Sequence, residues 1–193
     1  MMFEARNNGV MRTTPGSEGW IGQLWNADRA CLYDTVLEIK PKVIFEVGTW
    51  LGGGSTMYMV RAIQKNGFGV LHTSETDRSI YEQAVKNYLV EFPDLVPFVR
   101  LYHGDSLEVF PALLKDASVD MVFLDGAEDA AQSVSELALF ERHMHPGSVL
   151  CMHDWNTEKA RLVRPIIETS PRWRIVKVLG LPESVGFVKA IMQ

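Results

Sequence analysis

Residues 43–56 read VIFEVGTWLGGGST, and this stretch decides the fold. Its first five residues form a short apolar run, which is typical of a strand buried inside a sheet. Gly48 ends the run, and the glycines at 52–54 let the backbone turn tightly and approach a ligand closely. Ser55 or Thr56 is placed to cap a following helix, whose N-terminus attracts anions. The stretch therefore predicts a buried strand, a ligand-binding loop and a helix.

The rest of the chain repeats this alternation of strand and helix. Apolar runs predict seven strands, at residues 43–47, 69–74, 96–102, 119–124, 148–152, 173–179 and 185–192. Helical patterns fall at residues 56–64, 79–92, 107–114, 132–143 and 157–168. The linker at 180–184 is too short for a crossover helix, so the last two strands should be antiparallel. We therefore predict an α/β fold with a doubly wound, mostly parallel seven-stranded sheet and an antiparallel last strand.

Composition limits the classes of function. The 193 residues suffice for one sizeable domain, and 47% hydrophobic with 22% charged residues excludes collagen, coiled coil and bulk disorder. A net charge of −5 disfavours a nucleic-acid or acidic-membrane binder. Two cysteines, Cys31 and Cys151, cannot form a disulfide framework or a cysteine-rich zinc site. No apolar stretch reaches membrane-spanning length and no leader pattern opens the chain, so we expect a cytoplasmic protein.

The N-terminal part of the chain differs from the rest. Residues 1–19 are rich in turn-forming residues, which predicts an arm that becomes ordered late or only on binding. Apolar spacing over residues 20–39 favours an amphipathic helix with a break near Asp28. We therefore divide the chain into an N-terminal arm and helix at 1–40, a candidate substrate cap, and a main domain at 41–193. Tryptophans in the helix are compatible with a homodimer.

Polar residues follow each of the first five predicted strands. In a parallel sheet these carboxyl ends meet at one edge, near the point where the strand order reverses, and ligands bind there. A helix cap explains any one of these polar ends equally well, but five at the same edge favour a binding site. The end of the first strand carries Glu46. The polar residues after the second, third, fourth and fifth strands are, in that order, Glu75 and Asp77; His103, Asp105 and Ser106; Asp125, Glu128 and Asp129; and His153, Asp154 and Asn156.

Two phosphate-binding motifs are absent from the first glycine loop. The dinucleotide fingerprint needs a glycine at the position of Trp50, and the nucleotide-binding P-loop needs a lysine that does not follow here. An NAD-dependent oxidoreductase is therefore disfavoured. An acidic residue at Glu75, after the second strand, is still placed to bind the two hydroxyls of a ribose.

At this point the chain resembles a known family. The phrases Glu46-Val47-Gly48-Thr49-x-x-Gly52-Gly53, Phe123-Leu124-Asp125-Gly126-Ala127 and His153-Asp154-Trp155 look like those of class I S-adenosylmethionine-dependent methyltransferases. They are most similar to the small O-methyltransferase group that includes catechol-type and macrocin-type enzymes. The resemblance covers roughly residues 40 to 192 and implies the Rossmann-like methyltransferase fold. It also implies methyl transfer to a small-molecule acceptor, with oxygen the expected acceptor atom.

The resemblance also assigns cofactor-binding residues. Glu46, Gly48 and Gly52 would line the methionine part of S-adenosylmethionine, Glu75 would bind its ribose, and Asp105 and Ser106 would flank its adenine. The full set that we expect to contact the cofactor is Glu46, Gly48, Thr49, Gly52, Ser55, Glu75, Asp105, Ser106 and Asp125.

Metal-dependent members of the group imply an Mg²⁺ site on the acceptor side. The matching oxygen ligands here are Asp125, Asp154 and Asn156. A catechol-type site places the amide directly after the second aspartate, whereas Trp155 intervenes in this chain. Mg²⁺ is therefore only a candidate cofactor.

Catalysis is assigned to Asp125, Glu128 and His153. Glu128 stands where relatives carry a basic side chain, so it would act as a base or a metal ligand, or it would signal lost catalysis. His153 is the better-tuned proton acceptor near neutral pH, although a strand histidine bonded to backbone explains it as well. Lost catalysis would leave a cofactor-binding module that acts through a partner.

Two further features bear on the acceptor. Residues 157–177 contain six basic residues against Glu158 and Glu168, which forms either a solvated surface or a region that attracts an anionic substrate. Four tryptophans either wall an aromatic acceptor pocket or belong to the core, namely Trp20, Trp25, Trp50 and Trp155.

Overall fold

The structure is a computed structural model that describes residues 11–12, 21–22 and 24–193. Strand β1 (Met11–Arg12) pairs with β2 (Ile21–Gly22) in an antiparallel two-stranded sheet. The rest of the predicted arm at 1–19, and Trp20, lie outside the described residues. The predicted ordering of that arm on binding therefore stays a prediction.

A seven-stranded sheet forms the body of the protein. Its strands are β3 (Val43–Val47), β4 (Val70–Glu75), β5 (Val99–His103), β6 (Val119–Leu124), β7 (Met144–His153), β8 (Trp173–Leu179) and β9 (Phe187–Met192). The spatial order is β5-β4-β3-β6-β7-β9-β8. Pairings among β3 to β7 are parallel, and β9 is antiparallel to both β7 and β8. The predicted mostly parallel sheet with an antiparallel last strand is confirmed.

Helices cover both faces of this sheet. They are α1 (Asn26–Ile39), α2 (Ser55–Asn66), α3 (Arg78–Glu91), α4 (Ser106–Leu114), α5 (Ala130–Glu141) and α6 (Val163–Thr169). Successive side chains of a strand point to opposite faces of the sheet. Ile44 packs in the core under α1 and α2, whereas Phe45 packs in the core under α4 and α5. The apolar runs in the sequence reflect this burial on both sides.

Several boundaries differ from the sequence prediction by a few residues, and two predicted helices differ most. The helix predicted at 20–39 begins only at Asn26, because residues 21–22 pair as a strand. The helix predicted at 157–168 is divided into a 3-10 turn, Glu158–Ala160, and α6. Pro165 favours the division, because proline has no N–H to donate and its ring crowds the carbonyl four residues earlier, at Arg161.

Helix α1 contributes to the hydrophobic core of the protein. It packs against α2 and buries Leu32 and Val36 completely. Within the described ranges, no helix combines the length and apolarity that a bilayer crossing needs.

Two glycines bring the ends of β3 and β6 into close contact. A Cβ on Gly126 would lie 2.8 Å from Val47 Cγ1 and 2.9 Å from Gly48 N. Gly48 has φ +96, and a Cβ there would lie 3.0 Å from Gly126 Cα. The loops that follow the two strands therefore touch along their backbones.

Replacing Gly126 with alanine should destabilise the protein by about 2 kcal/mol, because the backbone contact leaves no room for a methyl group. Urea unfolding measures this change. Gly147→Ala is the matched control: it has φ +94 but nothing within 4 Å of the new Cβ, so it should cost only about 1 kcal/mol of backbone strain. A Gly126→Ala variant as stable as the native protein would contradict the close contact.

Candidate active site

A cavity of about 250 Å³ opens at the carboxyl ends of the central strands. We call it the cleft. It lies where the strand order reverses, since β3 has β4 on one side and β6 on the other. Seven residues predicted for the site line it, namely Gly48, Thr49, Ser55, Glu75, Ser106, Asp125 and Glu128.

Glu46 lies beneath the cleft and holds the first turn of α2. Its carboxylate is fully buried and accepts hydrogen bonds from Ser55 Oγ and, at 2.7 Å, from Thr56 Oγ1. Burial raises the pKa of Glu46 to about 7, although these hydroxyl donors act in the opposite direction. Glu46 therefore joins β3 to α2, and its role toward a ligand stays a prediction.

The loop between β3 and α2 is fixed by backbone and hydroxyl contacts. Gly48 N and Thr49 N both donate to Ser74 O, at 3.1 and 3.0 Å, and Thr49 Oγ1 lies 2.6 Å from Thr73 Oγ1. Gly52 N donates to Thr49 O at 3.0 Å, so Gly52 supports the turn from outside the cleft lining. The first half of the loop is thus anchored to β4.

Glu75 forms the wall of the cleft at the end of β4. Its two oxygens accept from Trp50 N at 2.9 Å and from Asp77 N at 3.0 Å. Trp50 has φ +51, a left-handed conformation that is uncommon for a side chain of this size and typical of functional loops. The two backbone donors orient the Glu75 carboxylate, and each oxygen retains a lone pair for a ligand hydroxyl.

The far end of the cleft is built by α4 and α5. Asp105 caps α4 by accepting from Leu107 N at 2.7 Å, and it does not itself line the cleft. Ser106 lines the cleft and donates to Glu136 at 2.7 Å, and Gln132 beside it donates to the same carboxylate at 3.3 Å. Burial raises the pKa of Glu136 to about 7. Gln132 and Glu136 are not among the residues predicted for the site, although their spacing of four residues places them on one face of α5.

A cluster of carboxylates surrounds an imidazole beside the cleft. His153 Nδ1 lies 3.0 Å from Asp125 Oδ1 and 3.4 Å from Asp154 Oδ1, and Nε2 lies 3.8 Å from Asp28 Oδ2. Burial opposes the charged ring, yet these carboxylates raise the pKa of His153 above its ordinary value. Burial also raises the pKa of Asp125, with His153 acting against it. Asp125 faces the cleft, and His153 lies behind it.

The cluster does not fit Mg²⁺. Asp125, His153 and Asp154 bring one ligand atom each within 4.8 Å of the others, but the central donor is an imidazole, and Mg²⁺ prefers an octahedron of oxygens. Asp154 Oδ2 already pairs with the ammonium of Lys159 at 3.3 Å. The predicted ligand Asn156 donates its amide to Leu181 O at 3.1 Å, in the loop before β9. Among the described residues, this position therefore offers two carboxylates and an imidazole, and not the all-oxygen set that Mg²⁺ prefers.

A second cavity of about 310 Å³ lies on the other side of the cluster. We call it the side cavity; Trp25, Asp28, Leu179 and Gly186 are among its lining residues. Trp50 lines the cleft instead, and Trp155 is buried in the core at 2% exposure. Asp28 connects the side cavity to His153, and through it to Asp125. The described tryptophans therefore do not share one pocket.

Comparison with known proteins agrees with this geometry. The family described as "Methyltransferase domain" matches residues 45–155. A catechol O-methyltransferase of Niastella koreensis is 26% identical over 172 residues, which cover 80% of this chain and 75% of that protein. Two solved structures share the fold at 20% identity and a TM-score of 0.72, and each covers 88% of this chain. They are an O-methyltransferase of Bacillus cereus in complex with SAH, covered over 82%, and TomG of Streptomyces achromogenes in complex with SAM, covered over 81%.

Glu46 should make stability fall as the pH rises. The folded protein keeps the Glu46 proton up to about pH 7, whereas the unfolded chain releases it near the ordinary pKa of 4.5. Between those values the free energy of unfolding should therefore drop by up to roughly 3 kcal/mol through this group.

Glu46→Gln lacks that titration, so the stability of the native protein relative to the variant should decrease from pH 5 to pH 8. Urea unfolding at several pH values measures it. Glu91→Gln, at the exposed end of α3, controls for the loss of one carboxylate. A difference between native and Glu46→Gln protein that stays constant with pH would refute this assignment.

Proposed function

Because the chain belongs to the methyltransferase-domain family, we propose that it transfers the methyl group of S-adenosylmethionine to a hydroxyl oxygen of a small molecule. The observation that carries the proposal is the single cleft that collects Gly48, Glu75, Ser106 and Asp125 at the point of strand-order reversal. The named relative and the two solved neighbours, which are O-methyltransferases, support oxygen as the acceptor atom.

The cofactor is proposed to lie along the cleft with its methionine end at the β3–α2 loop. Gly48 lets the backbone approach it, and the N-terminus of the 12-residue α2 attracts its carboxylate. Glu75 accepts from the ribose hydroxyls, and Ser106 with Gln132 contacts the adenine. This order places the sulfonium near Asp125, at the end of β6.

The chemistry is an in-line displacement at the methyl carbon. An oxygen lone pair of the acceptor forms the new C–O bond, and the electrons of the C–S bond return to sulfur, which becomes a neutral thioether. The acceptor proton passes to Asp125, whose carboxylate faces the cleft and is held by His153. Glu128 is a second carboxylate in the cleft lining, and its backbone N–H donates to Gln132 Oε1 at 3.0 Å. The protein contributes position, proton removal and exclusion of water.

We propose that the acceptor enters between the cleft and the side cavity. Leu24 lines the cleft and Trp25 lines the side cavity, so the segment that leads into α1 lies beside both. This position supports the proposal that the N-terminal segment covers the acceptor. The apolar side cavity suits the ring of an aromatic acceptor.

A non-catalytic cofactor-binding module remains a distinct alternative, and the family match does not favour it. Turnover separates the two functions. The proposed enzyme should form S-adenosylhomocysteine from S-adenosylmethionine with at least one member of a panel of phenols and catechols. A module without catalysis would bind the cofactor and show no turnover with any acceptor.

Binding of S-adenosylhomocysteine tests the cofactor assignment directly. Calorimetry should show binding, and Glu75→Ala should weaken it by about 10- to 100-fold, because two ribose hydrogen bonds to a charged acceptor are lost. Glu82→Ala is the control, since Glu82 lies exposed on α3 in an ion pair with Arg78. No binding at about 1 mM ligand, or equal affinity of Glu75→Ala and native protein, would contradict the assignment.

Substitution of two equally exposed tryptophans should distinguish the acceptor site from the cofactor site. Trp25 and Trp50 are each 38% exposed, but Trp25 lines the side cavity and Trp50 the cleft. Trp25→Ala should raise the KM for an aromatic acceptor by about 3- to 10-fold and leave the affinity for S-adenosylhomocysteine unchanged. Trp50→Ala should do the reverse. The arrangement is wrong if Trp25→Ala weakens cofactor binding or if both variants change the same constant.

A further inference from the structure

We propose that the ammonium of Lys159 takes the place of a divalent cation at the acceptor site and binds the acceptor oxygen, so that the enzyme methylates acceptors with a single hydroxyl group and needs no metal. This inference rests on the proposed methyl transfer. It concerns the acceptor half of the same site.

The loop after β7 folds back to place Lys159 in the cleft. Thr157 Oγ1 donates to Asp154 O at 2.9 Å and accepts from Lys159 N at 3.3 Å, which starts the 3-10 turn Glu158–Ala160. The turn directs the Lys159 side chain back to Asp154, where Nζ lies 3.3 Å from Oδ2. Asp154 has φ +59, a strained conformation for a residue with a side chain, and such strain is typical of functional positions.

The charges around the cleft favour a cation at this point. Among the described residues that line the cleft, three are acidic, Glu75, Asp125 and Glu128, and Lys159 is the only lysine or arginine. Lys159 also lines the small cavity beside Asp125, His153 and Asp154. Its side chain is 38% exposed, so the ammonium reaches both the cluster and the open cleft.

A metal would have to displace these contacts. Asp154 Oδ2 would have to release Lys159, and Asp125 Oδ1 would have to release the His153 ring at 3.0 Å. An ammonium needs no octahedron of oxygens and carries three donors, one for Asp154 and others for an acceptor. The Lys159 ammonium thus already occupies the position at Asp154 for which a metal ion would have to compete.

Lys159 acts on the ionisation of the acceptor. Its positive charge stabilises the oxygen as the hydroxyl proton passes to Asp125. The oxygen lone pair then forms the C–O bond, and the C–S electron pair stays on sulfur. Charge is conserved, because the sulfonium is neutralised as the carboxylate gains a proton. An acceptor that is already ionised in solution needs this help least.

The substrate class follows from the same contact. A metal that chelates an acceptor favours two neighbouring hydroxyls, whereas an ammonium binds a single oxygen and does not require a second one. We therefore infer that the acceptor is a monohydroxylated ring or a diol used through one oxygen. A phenol and the matching catechol should react at rates within about tenfold of each other.

The test compares Lys159→Met, Lys159→Arg and Arg161→Met. Arg161 lies two residues away on the surface, paired with Glu158, and serves as the matched control. Lys159→Met should lower kcat/KM for phenol by about 100-fold, and Lys159→Arg should restore part of the loss, because it keeps the charge. The loss should be smaller for a nitrophenol that is ionised at the assay pH. Arg161→Met should match the native enzyme.

Metal dependence is tested on the native enzyme with two readouts. Turnover should be unchanged in EDTA. Calorimetry should show no binding of Mg²⁺ to the protein at the Mg²⁺ concentrations that metal-dependent methyltransferases need for activity. Activity that is lost in EDTA and restored by Mg²⁺ would overturn the inference, and so would native-like turnover of Lys159→Met. An equal loss for phenol and nitrophenol would also overturn it, since that pattern indicates a structural role.

Failure of the proposed function gives a different result. In that case S-adenosylhomocysteine would not bind, or no acceptor would be methylated by the native enzyme. Failure of the Lys159 inference alone leaves cofactor binding and native turnover intact. Calorimetry with S-adenosylhomocysteine on Lys159→Met confirms that this variant is folded, because its cofactor affinity should equal that of the native protein.

Discussion

The hydrogen bonds of the buried Glu46 carboxyl are the interaction on which the backbone around the cleft depends. The carboxyl binds Ser55 and Thr56 at the start of α2 and thereby fixes where the helix begins relative to β3. The glycine loop must then close within the few residues between Val47 and Ser55. Burying a carboxyl is costly, as its raised pKa shows, and the two hydroxyl donors offset part of that cost. The result is a rigid backbone at the place where a ligand is proposed to bind.

The cluster around His153 depends on a different balance, between carboxylates and cations. Asp28, Asp125 and Asp154 surround His153, and Lys159 compensates from the cleft side. Because the carboxylates come from α1, the end of β6 and the end of β7, the cluster exists only when these elements pack together. The fold therefore holds these charges in one geometry, which is the arrangement that the proposed methyl transfer would use.

Most of the fold could be predicted from the sequence, because burial on both faces leaves uniform apolar runs such as 43–47 and 119–124. Boundaries were less accurate where local rules compete: the strand at 21–22 shortened α1, and Pro165 divided the helix after β7. The cleft lining predicted from strand ends includes Glu75, Ser106 and Asp125. Lys159 and Glu136 were not predicted for the site, because neither directly follows a strand. Lys159 reaches the cleft through the 3-10 turn after β7, and Glu136 lies within α5. The direction of the Asn156 amide likewise depends on the loop before β9.

A crystal structure with S-adenosylhomocysteine tests the proposed site most directly. We expect the ligand in the cleft, with the ribose hydroxyls on Glu75, the adenine beside Ser106 and Gln132, and the sulfur facing Asp125. Electron density for the ligand elsewhere, or a ribose that does not touch Glu75, would contradict the proposed site.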